Sequence, residues 1–205
     1  QVQSQIGMTF ANALRSILRQ DPDIIMVGEM RDTETAQIAV QSALTGHLVM
    51  STLHTNTATG AVIRLEDMGV EPYLITSSVN GVLSQRLIRR LCPHCREETT
   101  LPEEILVRSG LERFMPSGSR TVHVARGCSH CKQTGYLGRT SVHELFVMDE
   151  AAHQAILSGA DSTTLQNVAR KNGMLTLYED GLRKVAAGVT SLDEVMRVTQ
   201  DQGNG

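Results

Sequence analysis

The sequence predicts an α/β fold with a parallel sheet over residues 1–91, a small tetracysteine module over 92–134, and a mainly helical region over 135–205. Three observations predict it. Helical apolar stripes alternate with short apolar runs in the first segment. Four cysteines stand in two CxxC pairs within a turn-rich second segment. Capping-type residues and glycine stops mark out the third.

Within the first segment, residues 8–19 (MTFANALRSILR) place Phe10, Leu14, Ile17 and Leu18 on one helical face, with Arg15 and Arg19 alongside. DIIMVG then reads as a fully buried strand, because it does not alternate. Asp32 can cap the next helix, TETAQIAVQSAL, whose first turn carries Glu34 as the helix dipole favours. HLVMSTLH reads as a second buried strand, and ATGAVIRLEDM as a helix stopping at Gly69. Pro72 suits the first turn of a further helix, expected to run to about Leu91. The alternation has no opening strand, so further residues are expected upstream.

The later segments are read more coarsely. Glu103 to Val107 reads as a short helix, TVHVA as a strand, and GYLGRTSVHELFVM as a turn and strand. Thr163 with Gln166, and Ser191 with Glu194, have capping-box spacing. Gly173 and Gly188 read as helix stops, and QDQGNG as a polar tail.

Composition narrows the function. With 205 residues, 40% apolar and 20% charged, the chain can bury a sizeable core. Aromatics are 3% and Trp is absent, so that core must be aliphatic. A net charge of -3 provides no basic field for nucleic acid. No apolar run approaches the roughly 18 residues of a membrane span. The polar opening QVQSQ does not resemble a signal peptide, which makes the cytoplasm the expected location.

A strand ending in an acidic residue, as DIIMVGE does at Glu29, is how phosphoryl-transfer ATPases hold magnesium or its waters beside the phosphates. The same stretch also fits a core strand followed by an acidic turn. TGHLVMSTLHTNTA adds His54 at the carboxyl end of a neighbouring strand, where ligands of parallel sheets bind. Glu29 and His54 therefore fall at the same end. His47 precedes its strand and reads as a hydrogen-bonded structural residue.

Cys92, Cys95, Cys128 and Cys131 can bend four thiolates onto one tetrahedral ion. A closed Cys₄ shell leaves no open position, which favours structural zinc. A dithiol redox pair and unmetallated thiols are the alternatives. His94 and His130, inside the two knuckles, read as turn or surface residues, and QRLIRRL as a basic helix end.

LRSILRQDPDIIMVGEMRDTETA followed by TGHLVMSTLHTN resembles the Walker B and His boxes of the type II secretion E-type and type IV pilus assembly ATPase superfamily. RLCPHC and RGCSHCKQTGYLGRTSVHEL resemble its tetracysteine members. The resemblance implies a hexameric, ATP-driven motor with RecA-like catalytic domains, served by ATP, Mg²⁺ and Zn²⁺. It implies that Glu29 is the Walker B carboxylate and His54 the nucleotide-sensing His-box residue. Arg15 and Arg19 would reach an adjacent subunit's nucleotide, a task suited to a planar guanidinium. The alternative for both is a solvated or salt-bridged helix face. Arg31 and Arg64 are further candidates for subunit contacts. The implied partners are the other subunits and inner-membrane platform proteins, with pseudopilus assembly and protein export as the work done.

One departure matters. No GxxxxGK[ST] loop occurs in the 205 residues, so no P-loop Lys is present to cradle phosphates. The chain reads as the carboxyl-terminal part of a longer ATPase, expected to be inactive alone. TSVHEL leans towards the secretion branch, with type IV pilus assembly as the alternative. A zinc-ribbon nucleic-acid module and a regulatory fragment are readings of a different class, and the acidic balance speaks against the first.

Overall fold

The computed structural model describes residues 10–199, with the side chain of Phe10 excluded. Residues 8 and 9, expected in the first helix, and the tail from residue 200 lie outside the described residues. Two compact units form from non-contiguous segments: residues up to Val82 with Phe146–Met174, and Leu83–Leu145 with residues from Leu175 onward. Segments 1–91, 92–134 and 135–205 therefore do not coincide with them. The helical region after 149 is shared between both units, because its first two helices complete one core and its last two the other.

In the first unit, α1 (Phe10–Leu18), β1 (Ile24–Val27), α2 (Thr33–Leu44), β2 (Leu48–Ser51), α3 (Gly60–Asp67) and α4 (Pro72–Ser78) follow in order. The expected helix–strand alternation is present, and β1 pairs with β2 in parallel, Ile24 opposite Leu48 and Val27 opposite Ser51. Asp32 caps α2, its side chain accepting a hydrogen bond from Thr35 N at 2.8 Å.

The expectation of buried strands is overturned for both β1 and β2: in β2, Leu48 is 50% and Met50 42% exposed. β1 is not buried on both faces: Ile25 and Val27 are buried, whereas Ile24 is 59% and Met26 76% exposed. Leu14, Ile25 and Val27 form a small core with Leu18, Ile38 and Val49. An unbroken apolar run marks a strand covered on two sides, and the described residues cover only one.

A second correction concerns the helix expected to run from Pro72 to Leu91. It ends at Ser78, and β3 (Gly81–Leu91) follows, so QRLIRRL lies in a strand rather than at a helix end. Ser77 and Ser78 turn their hydroxyls back onto the carbonyls of Tyr73 and Leu74. The leucines at 83 and 87 caused the misreading, since a spacing of four keeps side chains together on a helix and on a strand alike. In β3 both point outward while Ile88 is buried.

The rest of the first unit's core comes from later in the chain. Phe146, Ala152, Ile156, Leu165 and Ala169 pack with Ala36, Val62, Leu65 and Ile75. They belong to the end of β6 (Tyr136–Val147), to α6 (Glu150–Leu157) and to α7 (Ser162–Lys171). The cap of α7 is Asp161, which accepts from Thr164 N at 2.7 Å, rather than Thr163.

The second unit holds β4 (Glu97–Thr100) and β5 (Thr121–Val124), paired antiparallel, and most of the two-stranded β3–β6 sheet. Its helices are α5 (Glu103–Ser109), α8 (Leu177–Ala186) and α9 (Leu192–Thr199). Leu106, Leu111, Val122, Leu182, Val185, Leu192 and Val195 make the main core. Gly181 lets α8 and α9 approach closely: a Cβ there would stand 2.5 Å from Val195 Cγ1. A full capping box is formed by Thr176 and Glu179. The Ser191 box is half made, because Ser191 Oγ accepts from Glu194 N while the Glu194 carboxylate turns to Arg89 and Arg197.

Candidate functional site

Parallel pairing brings the carboxyl ends of β1 and β2 side by side, so the residues that follow them emerge together. Glu29 leaves β1 after Gly28, and His54 leaves β2 three residues beyond Ser51. The structure puts the two in contact, His54 Nε2 against Glu29 Oε1. That oxygen is buried and has no other partner, so His54 is the one group that faces it among the described residues. The other oxygen, Oε2, accepts from Arg31 Nε at 2.6 Å and pairs with its Nη2 at 2.5 Å.

The carboxylate is therefore shielded while its partners stay wet: 19% exposed for Glu29 against 87% for His54. The Arg31 hydrogen bonds hold the Glu29 carboxyl below the usual carboxylate range, against the opposing effect of desolvation, and His54 adds to the lowering. A shielded, ionised carboxylate beside an exposed imidazole can bind a cation or orient a water and sense a ligand's charge.

Arg15 on α1 and Arg19 in the turn after it are not brought to this pair. Arg15 pairs with Glu34 at 2.8 Å, and both line a cleft of about 670 Å³ with Gln37, Gln41 and His47. Neither Glu29 nor His54 borders that cleft. Arg19 donates to Ser16 Oγ at 3.2 Å. Arg64 is exposed on α3. His47 meets Ser42 O at 3.0 Å and Thr45 Oγ1 at 3.2 Å, a hydrogen-bonded residue as expected. Arg31 is the residue that sequence reasoning placed elsewhere. Its signal was its place two positions after Glu29, on the same side of an extended chain.

In the second unit the four cysteine sulfurs all lie within 4.8 Å of one another. Cys92 to Cys128 is 3.9 Å, while Cys95 to Cys131 and Cys128 to Cys131 are each 3.8 Å. A tetrahedral ion with metal–sulfur bonds of about 2.3 Å requires sulfur–sulfur edges of about 3.8 Å. The thiols thus fit a Cys₄ zinc site. Backbone N–H groups of Gly127, Cys128 and Gly135 point at Cys95 and Cys131, as charged thiolates require. Burial opposes ionisation of Cys131, but its N–H donors hold the thiol down to about 6. Burial pushes Cys95 up. His94 and His130 stack, ring centroids 4.3 Å apart, clipping one knuckle to the other.

Residues 1–197 match the family model for type II/IV secretion system proteins. The chain belongs to that family. It is 54% identical over 202 residues to a type II secretion system protein E of Xanthomonas campestris, covering 98% of this chain and 35% of that one. To a type IV pilus assembly ATPase PilB of Thermus thermophilus it is 53% identical over 199 residues, covering 97% of this chain and 22% of the other. Among solved structures, the pilus retraction motor PilT with bound ADP superposes with a TM-score of 0.62 at 28% identity, over 92% of this chain and 43% of PilT. The RecA-like α/β expectation is borne out by this likeness. The chain spans less than half the length of each of these relatives. Among its described residues, no helix is long and apolar enough to cross a membrane.

Proposed function

We propose that the chain is the carboxyl-terminal part of a hexameric ATPase that drives pseudopilus assembly and protein export in type II secretion. The observation that carries this reading is the Glu29–His54 contact at the carboxyl ends of paired parallel strands. Glu29 acts as the Walker B carboxylate and His54 as the residue that reads the nucleotide. When ATP and Mg²⁺ are bound, the ion neutralises phosphate charge. Glu29 Oε2, released from Arg31, would help hold the ion or orient the water that attacks the γ-phosphoryl group as ADP leaves, and the exposed His54 Nε2 would donate to a γ-phosphate oxygen.

Arg15 and Arg19 reach the nucleotide of an adjacent subunit. The exposure of Arg15 on α1 and of Arg19 just after it supports this, and Arg15 must exchange Glu34 for the phosphates. The chain lacks a GxxxxGK[ST] loop and is inactive alone, with the phosphate cradle supplied upstream in the parent. The motor works in the cytoplasm and meets the inner membrane through platform proteins. Cys92, Cys95, Cys128 and Cys131 hold a structural zinc that makes a rigid partner surface.

The similarity to the Thermus protein favours type IV pilus assembly as a second reading with the same chemistry. The test is the intact parent with Glu29→Ala. Hydrolysis and export should be lost together while folding and zinc are retained. Export of an enzyme cargo, against surface piliation, separates the two branches. Full activity in Glu29→Ala would return DIIMVGE to an ordinary core strand.

A further inference from the structure

We infer that Thr52 is a positioning residue that sets the interval between Glu29 and His54, an inference that rests on the reading of that pair as the nucleotide site. The regular β1–β2 pairing ends at Val27 opposite Ser51, before either residue is reached. Past that point the two segments need another tie. Gly28 gives none through a side chain, and a Cβ there would meet nothing within 4 Å.

Thr52 supplies the tie on both sides of Glu29. Its Oγ1 donates to Gly28 O at 2.6 Å, and its own carbonyl accepts from Met30 N at 3.2 Å. The backbone groups immediately before and after Glu29 are thus both held by one residue of the neighbouring segment. That residue also stands two positions before His54. A shift of Thr52 moves the carboxylate relative to the imidazole, whereas the strands behind them stay paired.

The hydroxyl is the part that matters. Valine keeps the β-branched shape and the carbonyl, but cannot donate to Gly28. Because Thr52 is exposed, water can satisfy the abandoned carbonyl, and stability should change little. Geometry is less forgiving: a displacement of about 1 Å at a reacting group costs up to about a hundredfold in rate.

The experiment compares the intact parent ATPase as wild type, Thr52→Val, Thr52→Ser and Glu29→Gln, recording kcat and KM for ATP and thermal melting. For Thr52→Val the expected result is a kcat lower by about tenfold or more, a KM within about twofold, and an unchanged melting temperature. Thr52→Ser restores the hydroxyl and should recover most of kcat. Normal kcat in Thr52→Val beside an inactive Glu29→Gln overturns the role of Thr52 and leaves the site reading standing. If Thr52→Val melts early and Thr52→Ser, well folded, fails to recover kcat, the hydroxyl is not the tie and the inference falls. An active Glu29→Gln overturns the site reading itself.

Discussion

Arg31 grips a single oxygen of Glu29 with two nitrogens, Nε at 2.6 Å and Nη2 at 2.5 Å. Only one residue separates them in sequence. A guanidinium held this way keeps the carboxylate charged and also competes with any cation that approaches it.

The grip has a pH signature. Arg31 lowers the Glu29 carboxyl, so the ionised form persists to lower pH than an ordinary glutamate allows. Removing the guanidinium raises that pKa. In the parent ATPase, Arg31→Gln should therefore lose activity at a higher pH on acidification than wild type does. Profiles of kcat/KM against pH check this, and coincident acid limbs would separate Arg31 from the tuning of Glu29.

The cysteine cluster predicts metal dependence of one region. Cys92→Ser should abolish stoichiometric zinc and make residues 92–134 sensitive to protease, since the ion ties together sulfurs distant in sequence. Elemental analysis and limited digestion measure both. His94→Ala should release zinc faster to a chelator without losing stoichiometry, because stacking on His130 holds the knuckles but supplies no ligand.

Glu194 predicts a stability effect at low pH. Its side chain is 0% exposed and is met by Arg89 Nη2 at 2.6 Å and Arg197 Nη2 at 2.7 Å. Burial alone would raise its pKa, but Arg197, Arg89 and the Arg89 backbone N–H hold it to about 2. A carboxyl lowered on folding stabilises fully above its ordinary range near 4.5 and loses that contribution as pH falls towards 2. Glu194→Gln should cost about 3 kcal/mol in urea unfolding at neutral pH, and much less at acid pH.

Gly181 predicts an overpacking penalty. A methyl group there meets Val195 Cγ1, so Gly181→Ala should lose about 1–3 kcal/mol despite the higher helix propensity of alanine. Equilibrium denaturation measures it, and a stabilised variant would mean that α8 and α9 can part without loss.

Much of the first unit was legible because its signals are local. Asp32 announces its helix, and the apolar run from Ile24 to Val27 announces its strand, though not which side of it is covered. The convergence of Glu29 and His54 followed from one rule about parallel sheets. The illegible parts are those where two periods fit or where distant partners decide. Leu83 and Leu87 suit helix and strand equally. Glu194 looked like half of a capping box, and only the fold could bring Arg89 to it. The tie from Thr52 to Gly28 spans 24 residues with no pattern to mark it.

The most direct measurement is single-turnover hydrolysis of bound ATP by the intact parent carrying Glu29→Gln, which keeps the shape of the side chain and removes its charge. ATP should still bind, zinc and folding should be retained, and hydrolysis should fall by about a hundredfold or more. Hydrolysis at the wild-type rate would contradict the assignment of Glu29 as the carboxylate that acts on the nucleotide.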